Sequence, residues 1–185
     1  MTTLLPPDVR VPWFLRPLLV VTRWVTGKDP LPARMLTLFP KGALSVGVFE
    51  AFTAGAGDLD ARVLSVARIT ASLVGGCPFC LDMNAAAWKR NGLGDEELRA
   101  LLAGDFSSLS SREATAGRYA RALSRTPVEL DEPLRADLVA HFSARERVVL
   151  AHTIAQVNYW TRFNQGLDIP AAGFFDESVC RLPVS

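Results

Sequence analysis

Two short boxes limit what this chain can fold into: Ser110-Ser111-Arg112-Glu113 and Ser143-Ala144-Arg145-Glu146. In each, the serine oxygen and the glutamate carboxylate can reciprocally satisfy two orphan amides of a helix start. The first box predicts a helix to about Ser124, the second a long one to about Gly166. The same punctuation recurs upstream. Asp60 precedes Val63, Val66, Ala67, Thr70, Leu73 and Val74, spaced at three and four residues, and Gly75-Gly76 ends that pattern. A further helix is predicted from the cysteines Cys77 and Cys80 through Ala85-Ala86-Ala87-Trp88 to a stop at Asn91-Gly92. Pro78 is tolerated there because a first-turn N–H would be unpaired anyway. "GDEELRALLAG" reads as a short helix with acids in its first turn, and Asp131-Glu132-Pro133 opens another over "PLRADLVAHF". No segment alternates as a strand would, and no repeat is visible. The fold class expected is all-α.

Seven of the 12 prolines fall in the first forty residues, which predicts an N-terminal arm over 1–42 with short turns and at most one brief helix, including "VTRWVTG". The helical domain is then 43–185. Trp13, Phe14, Leu18, Leu19, Val20, Val21 and Trp24 of the arm need cover, from the body of the chain, a partner subunit or a membrane surface. Arg16, Pro17 and Arg23 break the hydrophobic run, so neither a signal peptide nor a membrane span is expected, and a cytoplasmic protein is. With 49% hydrophobic residues among 185, the chain can bury a substantial core. Lys and Arg total 20 against 19 Asp and Glu, with no dense basic cluster, so nucleic acid is not expected as a partner.

The chemistry centres on "GGCPFCLDMN", Gly75 to Asn84. A cysteine reacts as thiolate, and a helix N-terminus lowers thiol pKa through its unpaired N–H groups and dipole. The break at Gly75-Gly76 places Cys77 at such a cap and Cys80 in the first turn, close enough for a disulfide. Three readings of the pair stand at this point: redox-active thiols, buried inert thiols, or half of a metal site. Zinc needs four ligands, and no second CxxC or His pair exists to supply them, with His141 and His152 far apart in sequence. No metal and no cofactor is therefore expected; neither a phosphate loop nor a haem attachment motif occurs.

Asn84 lies one turn beyond Cys80, where its amide could donate to a thiolate, and Asp82 should point elsewhere. His152 shares a spacing with Val148, Val149, Gln156, Tyr159 and Phe163, which predicts that it faces inward, either as a hydrogen-bonded core residue or as a proton carrier for the cysteines. His141 is expected at a helix end, interacting with last-turn carbonyls. Asn158, Asn164 and Gln165 are expected to make structural hydrogen bonds, since amides do no acid–base work. Phe79, Trp88 and Trp160 read as core, with an apolar substrate pocket as the alternative. Cys180 is expected to be a free surface or tail thiol, with a third catalytic sulfur as the alternative.

With those residues in place, the stretch from Leu59 to Pro170 resembles the carboxymuconolactone decarboxylase superfamily in its alkylhydroperoxidase D-like branch. The CxxC-x-D, "TPV", "HFS" and "NY…RFN" landmarks occur in order. The resemblance implies an alkylhydroperoxidase D-like helical bundle that assembles as a homo-oligomer, a trimer or hexamer, with a dimer as the alternative. It also implies a disulfide peroxidase chemistry in which Cys80 attacks and Cys77 resolves; the helix dipole alone leans toward Cys77. Relatives with that activity carry a histidine four residues after the second cysteine, a glutamate twelve before the first, and commonly an arginine where Thr70 stands. This chain has Asn84 and Ser65 in place of the histidine and glutamate, so the usual proton relay is lost while the thiols are kept.

Three functions from different classes follow. The first is thiol-dependent reduction of a small hydroperoxide, with an external thiol reductant restoring the pair. The second is a non-catalytic helical oligomer or thiol redox sensor. The third is lactone decarboxylase-type chemistry, which needs positioned acids and bases rather than a thiol pair.

Overall fold

The computed structural model describes residues 4, 8–28, 31–53, 57 and 59–174. Among them are a 3-10 turn, Trp13–Leu15, and nine α-helices. They are α1 (Arg16–Thr26), α2 (Leu31–Leu36), α3 (Pro40–Thr53), α4 (Ala61–Gly75), α5 (Pro78–Ala85), α6 (Asp95–Leu102), α7 (Ser111–Leu123), α8 (Glu132–His141) and α9 (Ala144–Gly166). The described residues contain no strand, and the fold is all-α.

The predicted caps are made. Ser110 Oγ accepts from the Glu113 N–H at 3.4 Å while the Glu113 carboxylate accepts from the Ser110 N–H at 2.9 Å. Ser143 and Glu146 repeat the arrangement at the head of α9. Asp60 and Asp131 cap α4 and α8. Each such cap contributes about 1 kcal/mol to holding a helix start in place.

Two expectations about elements are corrected. The arm holds two helices and a 3-10 turn, not at most one brief helix. Its prolines open helices instead of breaking them: Pro17 and Pro32 are second residues of α1 and α2, and Pro40 is the first of α3. The helix after the cysteines stops at Ala85 rather than running to Asn91. Beyond it the chain tightens into turns, with the Trp88 N–H on the Ala85 carbonyl and the Leu93 N–H on the Trp88 carbonyl. That tightening brings Trp88 and Leu93 into a buried cluster with Val66, Ile69, Leu98 and Leu101.

α4 is the central helix. One face packs with α7, α8 and α9 through Val63, Leu64, Ala67, Ala71, Ala116, Leu138, Leu150 and Ile154; another meets α5 and α6. Around the cysteines a third cluster gathers Met35, Phe79 and Ile169. The arm joins it through Leu15, fully buried with Leu36 and Ala43 against Trp160 and Phe163. Trp13, Val20, Val21 and Trp24 of the arm are exposed on this chain.

Candidate active site

The dithiol sits in the joint between α4 and α5. Gly76, at φ 66°, ends α4 in the left-handed conformation that glycine adopts freely, and its N–H bonds the Leu73 carbonyl. Cys77 then turns extended and becomes the cap of α5, its sulfur accepting the Cys80 N–H at 3.2 Å in place of the usual cap oxygen. Both cysteines are unlinked thiols, each 1% exposed.

α9 supplies the polar ceiling. Asn164 Nδ2 donates toward Cys80 Sγ at 3.3 Å and lies 3.8 Å from Cys77 Sγ. The Thr161 hydroxyl, one turn earlier, also favours the Cys80 thiolate, although it forms no full hydrogen bond with any described residue. A missing side chain sets this approach. A Cβ on Gly75 would fall 2.4 Å from Thr161 Cγ2, so only glycine lets α9 come down on the end of α4. Gln165 secures the contact by donating to the Gly75 carbonyl.

These contacts divide the charge between the sulfurs. The Cys80 thiol, bonded to Cys77, pulls the Cys77 pKa down to about 7, against burial and with help from the Cys80 N–H and the Asn164 amide. Cys80 is pushed upward, because its proton serves the Cys77 sulfur and because burial and the neighbouring charge both oppose a second thiolate. The first of the two protons is therefore lost more easily than from an ordinary thiol, from the Cys77 side, and the second is held more tightly.

Asn84 does not fill the role expected of it. Its amide donates to the Cys80 carbonyl at 2.9 Å and to Ser72 Oγ at 3.0 Å, not to sulfur. A side chain on a helix leans toward the preceding turn, which brings this short amide to the carbonyl four residues back. The sulfur donor is Asn164, one of the amides expected to be structural. The other two are structural: Asn158 and Gln165 donate to backbone carbonyls.

His152 is also corrected. It is exposed, its ring 5.0 Å from that of Phe49 on α3. Twelve residues before Asn164 on the same helix, it stands about 18 Å away along the axis. The inward stripe of α9 is Leu150, Thr153, Ile154, Val157, Thr161 and Asn164, and position 152 is off it. Asp82 points away from the sulfurs as expected, accepting the Ala172 and Phe174 N–H groups at 2.9 and 3.0 Å. Phe79 is buried beside the cysteines, whereas Trp88 belongs to the α4–α6 cluster. Trp160 borders the cysteine cluster and donates its indole N–H to Glu50. Ser65 and Thr70 are buried on α4 with hydroxyls that no described residue partners. Cys180 lies outside the described residues. Among the described residues no three His, Cys, Asp or Glu side chains converge as a metal would require.

One signal could have found Thr161 and Asn164. They continue the apolar stripe of α9 at spacings of four and three, and polar residues on such a stripe are the informative exception.

Known proteins share this arrangement of helices. An Escherichia coli K12 protein named only as the uncharacterised YnjA is 32% identical over 181 residues, covering 97% of each chain. The crystal structure of a peroxidase-related protein from Silicibacter sp. TM1040 matches with a TM-score of 0.79 at 17% identity, over 93% of each chain. The debrominase Bmp8 in complex with 2,3,4-tribromopyrrole matches at a TM-score of 0.77 and 17% identity, over 90% of this chain and 92% of that one. At such identities the structural likeness is one of fold. The family model for carboxymuconolactone decarboxylases matches residues 46–122, a span that includes both cysteines. By that match and the full-length kinship with YnjA, the chain belongs to the carboxymuconolactone decarboxylase family.

Proposed function

We propose that the chain is a dithiol oxidoreductase that reduces small hydroperoxides through Cys77 and Cys80. The observation that carries this reading is the pair itself: two unlinked thiols at a helix start, one sulfur accepting the other residue's N–H, with Cys77 drawn down to about 7 by its neighbour. A reactive thiol at neutral pH needs such surroundings, and an inert buried one has no use for them.

In the reaction the remaining proton moves from Cys80 to Cys77, leaving Cys80 as the attacking thiolate. Cys80 Sγ takes the terminal oxygen of the hydroperoxide, the O–O bond breaks, and the departing alkoxide receives the proton held by Cys77. Cys77 thiolate then displaces hydroxide from the Cys80 sulfenic acid, closing the disulfide, and solvent protonates the hydroxide. Two thiols lose two electrons, and the hydroperoxide becomes alcohol and water. An external thiol restores the pair. The dithiol thus manages its own proton where relatives use histidine and glutamate, and slower turnover is the expected cost, general acid–base assistance being worth typically about 10²–10⁴-fold. The same reading places the chain in the reducing cytoplasm and in an assembly of its own copies.

The test is mass spectrometry of the reduced protein after brief exposure to one equivalent of hydrogen peroxide or an organic hydroperoxide, with the cysteines mapped. A rapid Cys77–Cys80 disulfide that Cys80→Ser abolishes supports peroxide reduction; disulfide formation without catalytic turnover makes the pair a sensor. Thiols that stay free sink both. A second substrate class is run in parallel, since a dithiol couple can also deliver two electrons to a carbon–halogen bond and the fold is shared with the debrominase Bmp8. Bromide release exceeding peroxide consumption would replace the first reading.

A further inference from the structure

Two polar atoms at the dithiol form no full hydrogen bond with any described residue. Asn164 Oδ1 and Thr161 Oγ1 are both buried, on residues each 1% exposed, and no described residue hydrogen-bonds either one. An orphaned buried polar atom costs about 1–3 kcal/mol, and such atoms in a folded protein call for an explanation. Here they share more than a lack of partners. They sit one turn apart on the inward stripe of α9, and both residues face Cys80: the Asn164 amide nitrogen at 3.3 Å, the Thr161 hydroxyl beside the same sulfur. The methyl of Thr161 is packed against Gly75 and the amide nitrogen of Asn164 is committed to sulfur, so both free oxygens are held in place.

The two atoms are chemically complementary to a hydroperoxide. A carboxamide oxygen only accepts, and a hydroxyl both donates and accepts. R–O–O–H brings one donor, its terminal O–H, and acceptor lone pairs on both oxygens. We propose that Thr161 and Asn164 form the seat for the peroxide group at Cys80, with Asn164 Oδ1 accepting the terminal O–H and the Thr161 hydroxyl donating to the oxygen that becomes the alkoxide. The inference rests on the peroxidase reading and adds to it the residues that hold the substrate. The donor from Thr161 strengthens as the O–O bond breaks and charge builds on the departing oxygen, which is where a fixed donor accelerates a reaction. Atoms and electrons balance as in the reaction above; the seat adds no reactant.

The measurement is a ratio. Stopped-flow oxidation of the reduced protein by tert-butyl hydroperoxide is compared with alkylation of the same thiols by iodoacetamide, which needs a thiolate but no peroxide seat. In Thr161→Val, nearly the same shape without the hydroxyl, the ratio of oxidation to alkylation is expected to fall by about 10- to 100-fold, the range for losing a hydrogen bond to developing charge. Thr161→Ser, which returns the hydroxyl, is expected to recover most of it. An unchanged ratio in Thr161→Val overturns the seat and leaves peroxide reduction standing. Equal loss in the Val and Ser variants also overturns it, assigning Thr161 to packing alone. A wild-type protein that alkylates normally but is not oxidised by the hydroperoxide fails at the earlier step and removes the peroxidase reading and the seat together.

Discussion

Asparagine cannot relay a proton, so a site whose side-chain partners among the described residues are an amide and a hydroxyl must find its acid and base in the sulfurs themselves. Cys77 and Cys80 can do this because each shifts the other: the Cys80 S–H lowers Cys77, and the resulting charge raises Cys80. A thiol whose pKa is lowered is reactive above the lowered value and loses reactivity as pH falls through it. Alkylation of the pair should therefore rise through a midpoint near pH 7, with the thiolate absorbance in the ultraviolet growing through the same midpoint toward one thiolate per chain. Cys80→Ala removes the largest cause of the shift and leaves burial in place, so the midpoint for Cys77 should climb back toward the ordinary thiol value of 9.0. A midpoint that stays near 7 in that variant would assign the shift to the helix start alone. The cysteine spacing was readable because a CxxC at a helix start is a local pattern. The amide that serves the sulfurs lies 84 residues from Cys80, and the placement of Asn164 depends on how α9 lands on α4. Asn84, the obvious amide in sequence, is drawn to the carbonyl of its own helix instead.

Between elements, what matters is how the joint is covered and how closely it is packed. The segment after α9 folds back over the cysteines: Leu167, Ile169, Ala172 and Phe174 pack in their cluster, with Phe174 edge-on to Phe79 at 5.8 Å. Asp168, at φ 51°, makes the reversal, a left-handed turn that aspartate tolerates better than most residues. Two backbone amides of this strap end on Asp82, and Lys28 donates to the carbonyls of Ala172 and Gly173. Asp82→Ala should release it. Losing two hydrogen bonds to a carboxylate costs about 3 kcal/mol, enough to speed iodoacetamide labelling of Cys77 and Cys80 by about tenfold or more. Unchanged labelling kinetics would mean that the thiols are reached by another route. Gly75→Ala tests the packing below: with the new methyl 2.4 Å from Thr161, α9 must lift, and the denaturant midpoint should fall by the equivalent of about 1–3 kcal/mol. The helices themselves were legible, because caps and glycine stops are short-range and the Ser-x-x-Glu boxes form as written. The phase of α9 was not. That helix carries apolar residues on several faces, so spacing alone put His152 inward with Val148 and Tyr159, whereas the packed structure leaves both neighbours exposed and buries the Leu150–Ile154–Val157 face.

At the scale of the molecule, the apolar residues left over are the informative ones. Trp13, Val20, Val21 and Trp24 on or beside α1, and Leu44, Val48 and Phe52 at four-residue spacing on α3, are exposed on the single chain, with Trp24 at 85% and Phe52 at 87%. Isolated exposed apolar residues are ordinary, but the largest patch on a monomer is typically about 300–600 Å², and two helices presenting three or more large side chains each go beyond scattered exposure. None of the described helices is long and apolar enough to cross a membrane. The assembly proposed above would cover them with further copies of the chain, and a stable interface of this kind buries about 1,200–2,000 Å². Sedimentation velocity at micromolar concentration should then show a species at a multiple of 20.1 kDa. Trp24→Asp combined with Phe52→Asp should shift it toward the monomer while helical circular dichroism is retained, since both side chains lie almost wholly in solvent on the single chain. If the wild-type protein sediments as a monomer, the exposed faces belong to a different partner. If the double variant assembles as before, the copies meet elsewhere, and the exposed stripe of α9 around His152 and Tyr159 becomes the surface to change next.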